Sequence, residues 1–154
     1  MPLTDFKHRH RMRVRYAEGD AQGVVFNARY LDYGDVAITE YWRAVGFRFT
    51  GSDVLEFHVA RAEVDFKRPI YVDEMIDLWS RIDRIGNTSM TVLVEIHGAR
   101  DDGEADLRAA IRGVHVHVDL DGHRPTPIPG DARARFEAFD ARPDVVTTGE
   151  TATR

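Results

Sequence analysis

Asp20 stands in the turn "EGDAQGVV", bracketed by Gly19 and Gly23 and followed by apolar residues, with no cation close by in sequence to partner it. A carboxylate in such a place has two uses. It can stabilise the turn or the following helix end by about 1 kcal/mol, or it can act as a general base or a nucleophile. Spacing alone leaves both open, although the first good helical residue falls around Val25 to Ala28, so Asp20 is too early for a simple N-cap. Gly23 adds a position where another group can approach the backbone closely.

Other catalytic chemistries have less support. The chain has no cysteine, and none of Ser52, Ser80 or Ser89 lies in the Gly-x-Ser-x-Gly elbow of serine hydrolases. His115 and His117 are spaced to share one face of a strand and to bind a metal, but no carboxylate cluster in the sequence completes a site, so no metal and no cofactor are expected. A net charge of −5 over 154 residues argues against a nucleic-acid partner. The basic run Lys7-His8-Arg9-His10-Arg11-Arg13-Arg15 reads as a solvated arm or an exposed edge-strand face, with an anion site as the alternative. No apolar run approaches the ~20 residues that span a bilayer. The absence of a secretory signal points to the cytoplasm.

The elements that must position Asp20 follow from periodicity. Met12, Val14 and Tyr16 alternate with arginines and predict a strand up to Glu18. Tyr30, Tyr33, Ala37, Tyr41 and Ala44 recur at three and four residues and predict a helix over about 28–45, stopped by Gly46. Gly34 marks a close approach within it. Four further strands follow. One carries Ala60, Ala62, Val64 and Phe66 inward, and the next runs from Ile76 to Gly86 through Leu78 and Ile82. A third carries Met90, Val92, Val94 and Ile96, and the last covers Leu107 to Leu120. One long helix and an antiparallel sheet with one face to cover give an α+β domain over residues 1–130, a curved five-stranded sheet wrapped around one long central helix. Residues 131–154 are expected to form a short terminal helix, Asp131 to Asp140, and a disordered tail.

The stretches "RYAEGDAQGVVFNARYLDYGDVAITEYW", "VDFKRPIYVDEMIDL" and "RIGNTSMTVLVEI", from Arg11 to Ile128, resemble the hot-dog fold acyl-CoA thioesterases of the 4-hydroxybenzoyl-CoA thioesterase type. The resemblance implies an acyl-CoA or aryl-CoA substrate and a homo-oligomer: a dimer whose sheets pair edge to edge with active sites at the interface, further paired into a tetramer. It implies a catalytic Asp20 with Asn27 beside it. It also implies an oxyanion site at the helix start, built from backbone around Gly23 and Phe26 or Asn27, where each good donor contributes about 3 kcal/mol. Tyr30, His58, Arg84 and the turn residues Gly86, Thr88 and Ser89 are expected to contact substrate, with Lys67-Arg68 a second candidate for the CoA phosphates. One departure is Asn27, where relatives carry His or Tyr; Asn cannot act as a base but can donate a hydrogen bond. The alternatives are a non-catalytic acyl-CoA binding module and a hot-dog hydratase. The hydratase needs an Asp–His pair a few residues apart, and no histidine lies between His10 and His58.

Overall fold

Where one face of a strand is buried, the alternation in the sequence is realised in the computed structural model, which describes residues 2–48 and 54–150. In β3 (Met75–Ile85), β4 (Ser89–Gly98) and β5 (Leu107–Val118), residues such as Ile76, Leu78, Met90, Val92, Val94, Ile96 and Ala109 point inward and are buried. They pack on α1 (Arg29–Val45), whose Tyr30, Tyr33, Ala37, Ile38 and Tyr41 form one buried stripe. Gly46 ends the helix in a left-handed conformation, φ 113°, its N–H donating to the Trp42 and Arg43 carbonyls, both at 3.1 Å. A Cβ on Gly34 would stand 3.2 Å from Ile111 Cδ1, so helix and sheet meet tightly there. No helix among the described residues is long and apolar enough to cross a membrane.

The sheet has six strands, one more than expected, in the order β2-β5-β4-β3-β1-β6. The extra strand is β6 (Val146–Gly149), parallel to β1 (His8–Arg13), in the segment expected to be a disordered tail. Short as it is, it carries a Val-Thr-Thr run of high β preference. Thr148 Oγ1 meets both His8 Nε2 at 3.0 Å and His10 Nδ1 at 2.9 Å. Residues 151–154 of the expected tail lie outside the described residues. The terminal helix α2 (Gly130–Asp140) packs Phe136 against Phe47 and Tyr41, and its Asp140 accepts hydrogen bonds from Tyr41 Oη at 2.8 Å and Ile82 N at 2.9 Å.

β1 departs from the expected pattern. It begins and ends earlier, and Tyr16, read as inward-facing, is 89 % exposed. The chain leaves the sheet through a 3-10 turn, Tyr16–Glu18, held by the Glu18 carboxylate on the Arg15 amide at 2.7 Å and on Arg15 Nη2 at 2.9 Å. Nor is the basic run a solvated arm. β6 covers β1, His8 is fully buried, and the 2 %-exposed Arg11 grips Asp77 of β3 with two hydrogen bonds, Nε to Oδ1 at 2.6 Å and Nη2 to Oδ2 at 2.8 Å. β2 (Glu56–Phe66) is an edge strand with a bulge between Val59 and Arg61. Of its four expected inward residues only Val64 is partly covered: β2 has a strand on one side only, and a cavity separates Val59 and Ala62 from Leu31, Gly34 and Ile38 of α1.

Two buried histidines make this fold acid-sensitive. Burial lowers His8 to about 4, with His10 adding to the effect, and burial alone lowers His115 to about 4. In the unfolded chain both would titrate near 6.5. Between those values the unfolded state binds more protons than the folded one, so stability falls as pH drops from about 6.5 to about 4. Denaturant midpoints at pH 7.5 and pH 5 should differ by a few kcal/mol in unfolding free energy, on the order of 1–3 per histidine. Equal midpoints would show that neither ring is held neutral.

Candidate active site

A short two-stranded loop carries the chain from the 3-10 turn to α1. Asp20 N donates to the Val24 carbonyl at 2.8 Å, Gly19 bridges Val25, and Phe26 N donates to the Glu18 carbonyl at 3.1 Å. Its tip is a turn in which Gly23 N donates to the Asp20 carbonyl at 3.0 Å and Gly23 takes φ 79°, a conformation that favours glycine. Gly19 is dictated by space: a Cβ there would run into Val72 Cγ2. The base of the loop is the buried Glu18, which also accepts from Tyr33 Oη at 3.1 Å. Burial pushes the Glu18 carboxyl up, but the hydrogen bonds from Arg15 and Tyr33 outweigh it and hold the group below its usual range. The sequence does not single out Glu18; an acidic residue two positions before another carries no signal of burial.

Asp20 itself is exposed, with Oδ1 accepting from the Gln22 amide at 2.8 Å in an Asx turn. It therefore braces the turn and does not cap α1. Its second oxygen has no hydrogen-bond partner among the described residues.

The helix start is uncapped. Ala28 at the N-cap makes no side-chain hydrogen bond, Arg29 N turns back to the Phe26 carbonyl at 2.9 Å and Tyr30 N to the Asn27 carbonyl at 3.3 Å. Among the described residues the amides of Asn27 and Ala28 have no hydrogen-bond partner. Two expected backbone donors are corrected here: the Gly23 and Phe26 N–H groups are both taken up inside the loop. Asn27 keeps its free amide at the positive end of the helix dipole.

Asn27 lines a cavity of about 270 Å³ together with Val24, Tyr30, Phe66, Lys67 and Arg68, among others. Tyr30 forms its floor, edge-on to Phe66 at 4.8 Å. The loop after β2 is fixed by Arg108, which donates to the Pro69 carbonyl at 2.9 Å and to both Glu74 carboxylate oxygens at 2.8 and 2.6 Å. Arg68 is turned aside onto Asp106, whereas no partner holds the Lys67 ammonium among the described residues. A second, more apolar cavity of about 220 Å³ runs between α1 and the sheet, past Leu31, Gly34, Ile38, Val59 and Ala62.

The remaining expected substrate contacts lie elsewhere. His58 pairs with Val116 and so does Ser89, which puts both in one row across β2, β5 and β4 at the far end of the sheet from Phe66. Arg84, Gly86 and Thr88 share that end. The turn is built by Gly86 N on the Ser89 carbonyl at 2.7 Å, and Arg133 of α2 clamps the Gly86 carbonyl at 2.7 Å. Within one protomer these residues do not converge with Asp20. His115 and His117 are buried: His115 packs edge-on to Trp42, and His117 Nδ1 sits 3.1 Å from the Thr126 and Pro127 carbonyls.

A sheet wrapped around one long helix, with a carboxylate turn leading into an uncapped helix start, is the hot-dog arrangement of a thioester hydrolase. The family model of the thioesterase-like superfamily matches residues 14–136, and the chain belongs to that family. It is 29 % identical over 133 residues to the acyl-CoA thioesterase YbgC of Haemophilus influenzae, covering 81 % of this chain and 90 % of that one. A thioesterase from Thermus thermophilus, solved in complex with coenzyme A and Zn, superposes with a TM-score of 0.76 at 30 % identity, covering 90 % of this chain and 97 % of the other. A protein from Pseudomonas aeruginosa superposes with a TM-score of 0.77 at 26 % identity, over 88 % and 92 % of the two chains.

Proposed function

We propose that this chain hydrolyses acyl-CoA thioesters to the free acid and CoA. The observation that carries the reading is the unpartnered amides of Asn27 and Ala28 at the start of α1, beside a cavity that Asn27 lines and after a turn whose carboxylate has one free oxygen. A thioester carbonyl seated on the Asn27 amide gains stabilisation as negative charge develops on its oxygen. The Asp20 carboxylate either attacks the carbonyl carbon, expelling the CoA thiolate and leaving a mixed anhydride that water then cleaves to the acid and free Asp20, or takes a proton from a water that attacks the carbonyl as the thiolate leaves. Tyr30 and Phe66 border the acyl group, and Lys67 is free to meet a phosphate. Coenzyme A in the Thermus thermophilus relative supports the substrate class. Release of free thiol from a panel of short, long and aromatic acyl-CoAs tests the reading; no turnover of any of them would leave only the non-catalytic binding module.

The active site is shared between two protomers in this proposal. β2 is an eleven-residue open edge, and its Val59 and Phe66 are exposed, as are Phe26, Leu31 and Tyr71 nearby. A twofold axis through an edge strand pairs it antiparallel with its own copy. That operation carries the end of the sheet holding His58, Arg84, Gly86, Thr88 and Ser89 toward the other protomer's Asp20 loop. Arg84 and the small-residue turn then contact the CoA half of the substrate, and dimers pair further into tetramers. Light scattering at micromolar concentration should give a mass of at least two chains, and a monomer that retains full turnover would exclude the shared site.

A further inference from the structure

At the start of β2, far along the sheet from the Asn27 cavity, three side chains converge that the thioester reading does not use together. Glu56 and His58 are two residues apart and so share a face of the strand. His123 reaches them from the turn after β5. Each offers one ligand atom, and the three atoms lie within 4.8 Å of one another. Glu56 Oε1 stands 3.3 Å from His58 Nε2. This is close to the separation of about 3.3 Å between two ligands held tetrahedrally at about 2.0 Å from one ion. The two imidazoles stack with centroids 5.2 Å apart and planes 18° apart.

His123 is delivered by a built turn. Its backbone is left-handed, φ 53°, and its N–H donates to the Asp119 carbonyl at 3.1 Å. Asp119 N in turn donates to the Arg124 carbonyl at 3.0 Å, and Gly122 N to Asp119 Oδ1 at 2.5 Å. Two imidazoles and a carboxylate are the donor set of zinc, cobalt and nickel rather than of calcium or magnesium, which take oxygen ligands. We propose that Glu56, His58 and His123 bind one borderline divalent transition-metal ion per chain, with the remaining coordination position open to water. Glu56 pairs with Val118 at the end of β5, so the ion ties the 119–124 turn to the open edge of the sheet.

The test uses tag-free protein stripped with a chelator. Cobalt(II) is titrated in while its visible d–d absorption is followed, and zinc is then added in competition. One equivalent of cobalt per chain is expected, displaced by zinc, with affinity reduced about tenfold or more in both His123→Ala and Glu56→Gln. The melting temperature of the wild type should rise with zinc and that of His123→Ala should not. Comparing metal-free melting temperatures identifies a variant that has lost its fold, and Glu56→Gln, which keeps the volume of its side chain, then carries the test alone. The proposal is overturned by the absence of saturable binding below about 1 mM metal, or by binding that survives both substitutions and is lost on replacing His115 or His117.

Discussion

Replacing Asp20 with Asn is expected to lower kcat for acyl-CoA hydrolysis by about 100-fold or more. The change keeps the volume and, through the amide oxygen, the bond from the Gln22 amide, so the turn survives. What it removes is charge and basicity. An amide neither attacks a carbonyl nor accepts a proton from water at neutral pH, so both chemical routes through Asp20 stop together. Because the loss falls on the reacting centre, KM should move much less than kcat. A variant within about tenfold of wild type, with an unchanged melting curve, would show that Asp20 serves the turn and that catalysis lies with another group. Asn27→Ala should cost less, since the proposed donor there is the backbone amide and the substitution leaves it in place.

The second large effect concerns stability. Asp77→Ala should cost about 2–4 kcal/mol, because it leaves the buried Arg11 guanidinium without its bidentate partner and with only the exposed Asp101 carboxylate at 3.0 Å and the Arg100 carbonyl at 3.1 Å to hold it. Such a loss is a large share of the marginal stability of an ordinary domain, and it would be read as a shift of the urea midpoint at constant slope. Replacing both residues, Arg11→Met with Asp77→Leu, should recover most of it, since the cost lies in a buried charge that has lost its two best hydrogen bonds. If Asp77→Ala lowered stability by less than about 1 kcal/mol, Asp101 and water would have to be taking over the Arg11 charge.

These two sites also mark what a reading of the sequence reaches. The Asp20 loop is legible because its glycines, its carboxylate and the helix behind it are neighbours in the chain. The same holds for α1, β3, β4 and β5, where one buried face imposes a period that the residues must obey. The Arg11–Asp77 pair is not legible: the partners are 66 positions apart, and an arginine surrounded by other basic residues looks solvated until the opposing aspartate is known. β1 lies earlier than its pattern predicts for that reason, and β6 escapes notice because four mostly polar residues are a strand only beside His8 and His10. Glu56, His58 and His123 fail the same way, the third ligand lying 65 residues after the second. The Asn27 amide is within reach from the sequence, whereas the use of the Phe26 and Gly23 amides inside the loop depends on backbone pairing that no residue type announces.

The two margins of the sheet are unequal, and the inequality bears on how copies can add. On one side β2 offers eleven residues of unpaired backbone; on the other β6 offers four and ends at Gly149, whose φ of 86° turns the chain out of line. A sheet with two long free margins can recruit a copy at each and grow without end, whereas one with a single usable margin is satisfied by one neighbour. In the proposed β2–β2 dimer, Val146–Gly149 covers β1 with a stub too short to template another strand, and the assembly then ends as a pair instead of an open ribbon. Deleting those four residues would bare the six-residue β1 and give the molecule a second place to polymerise.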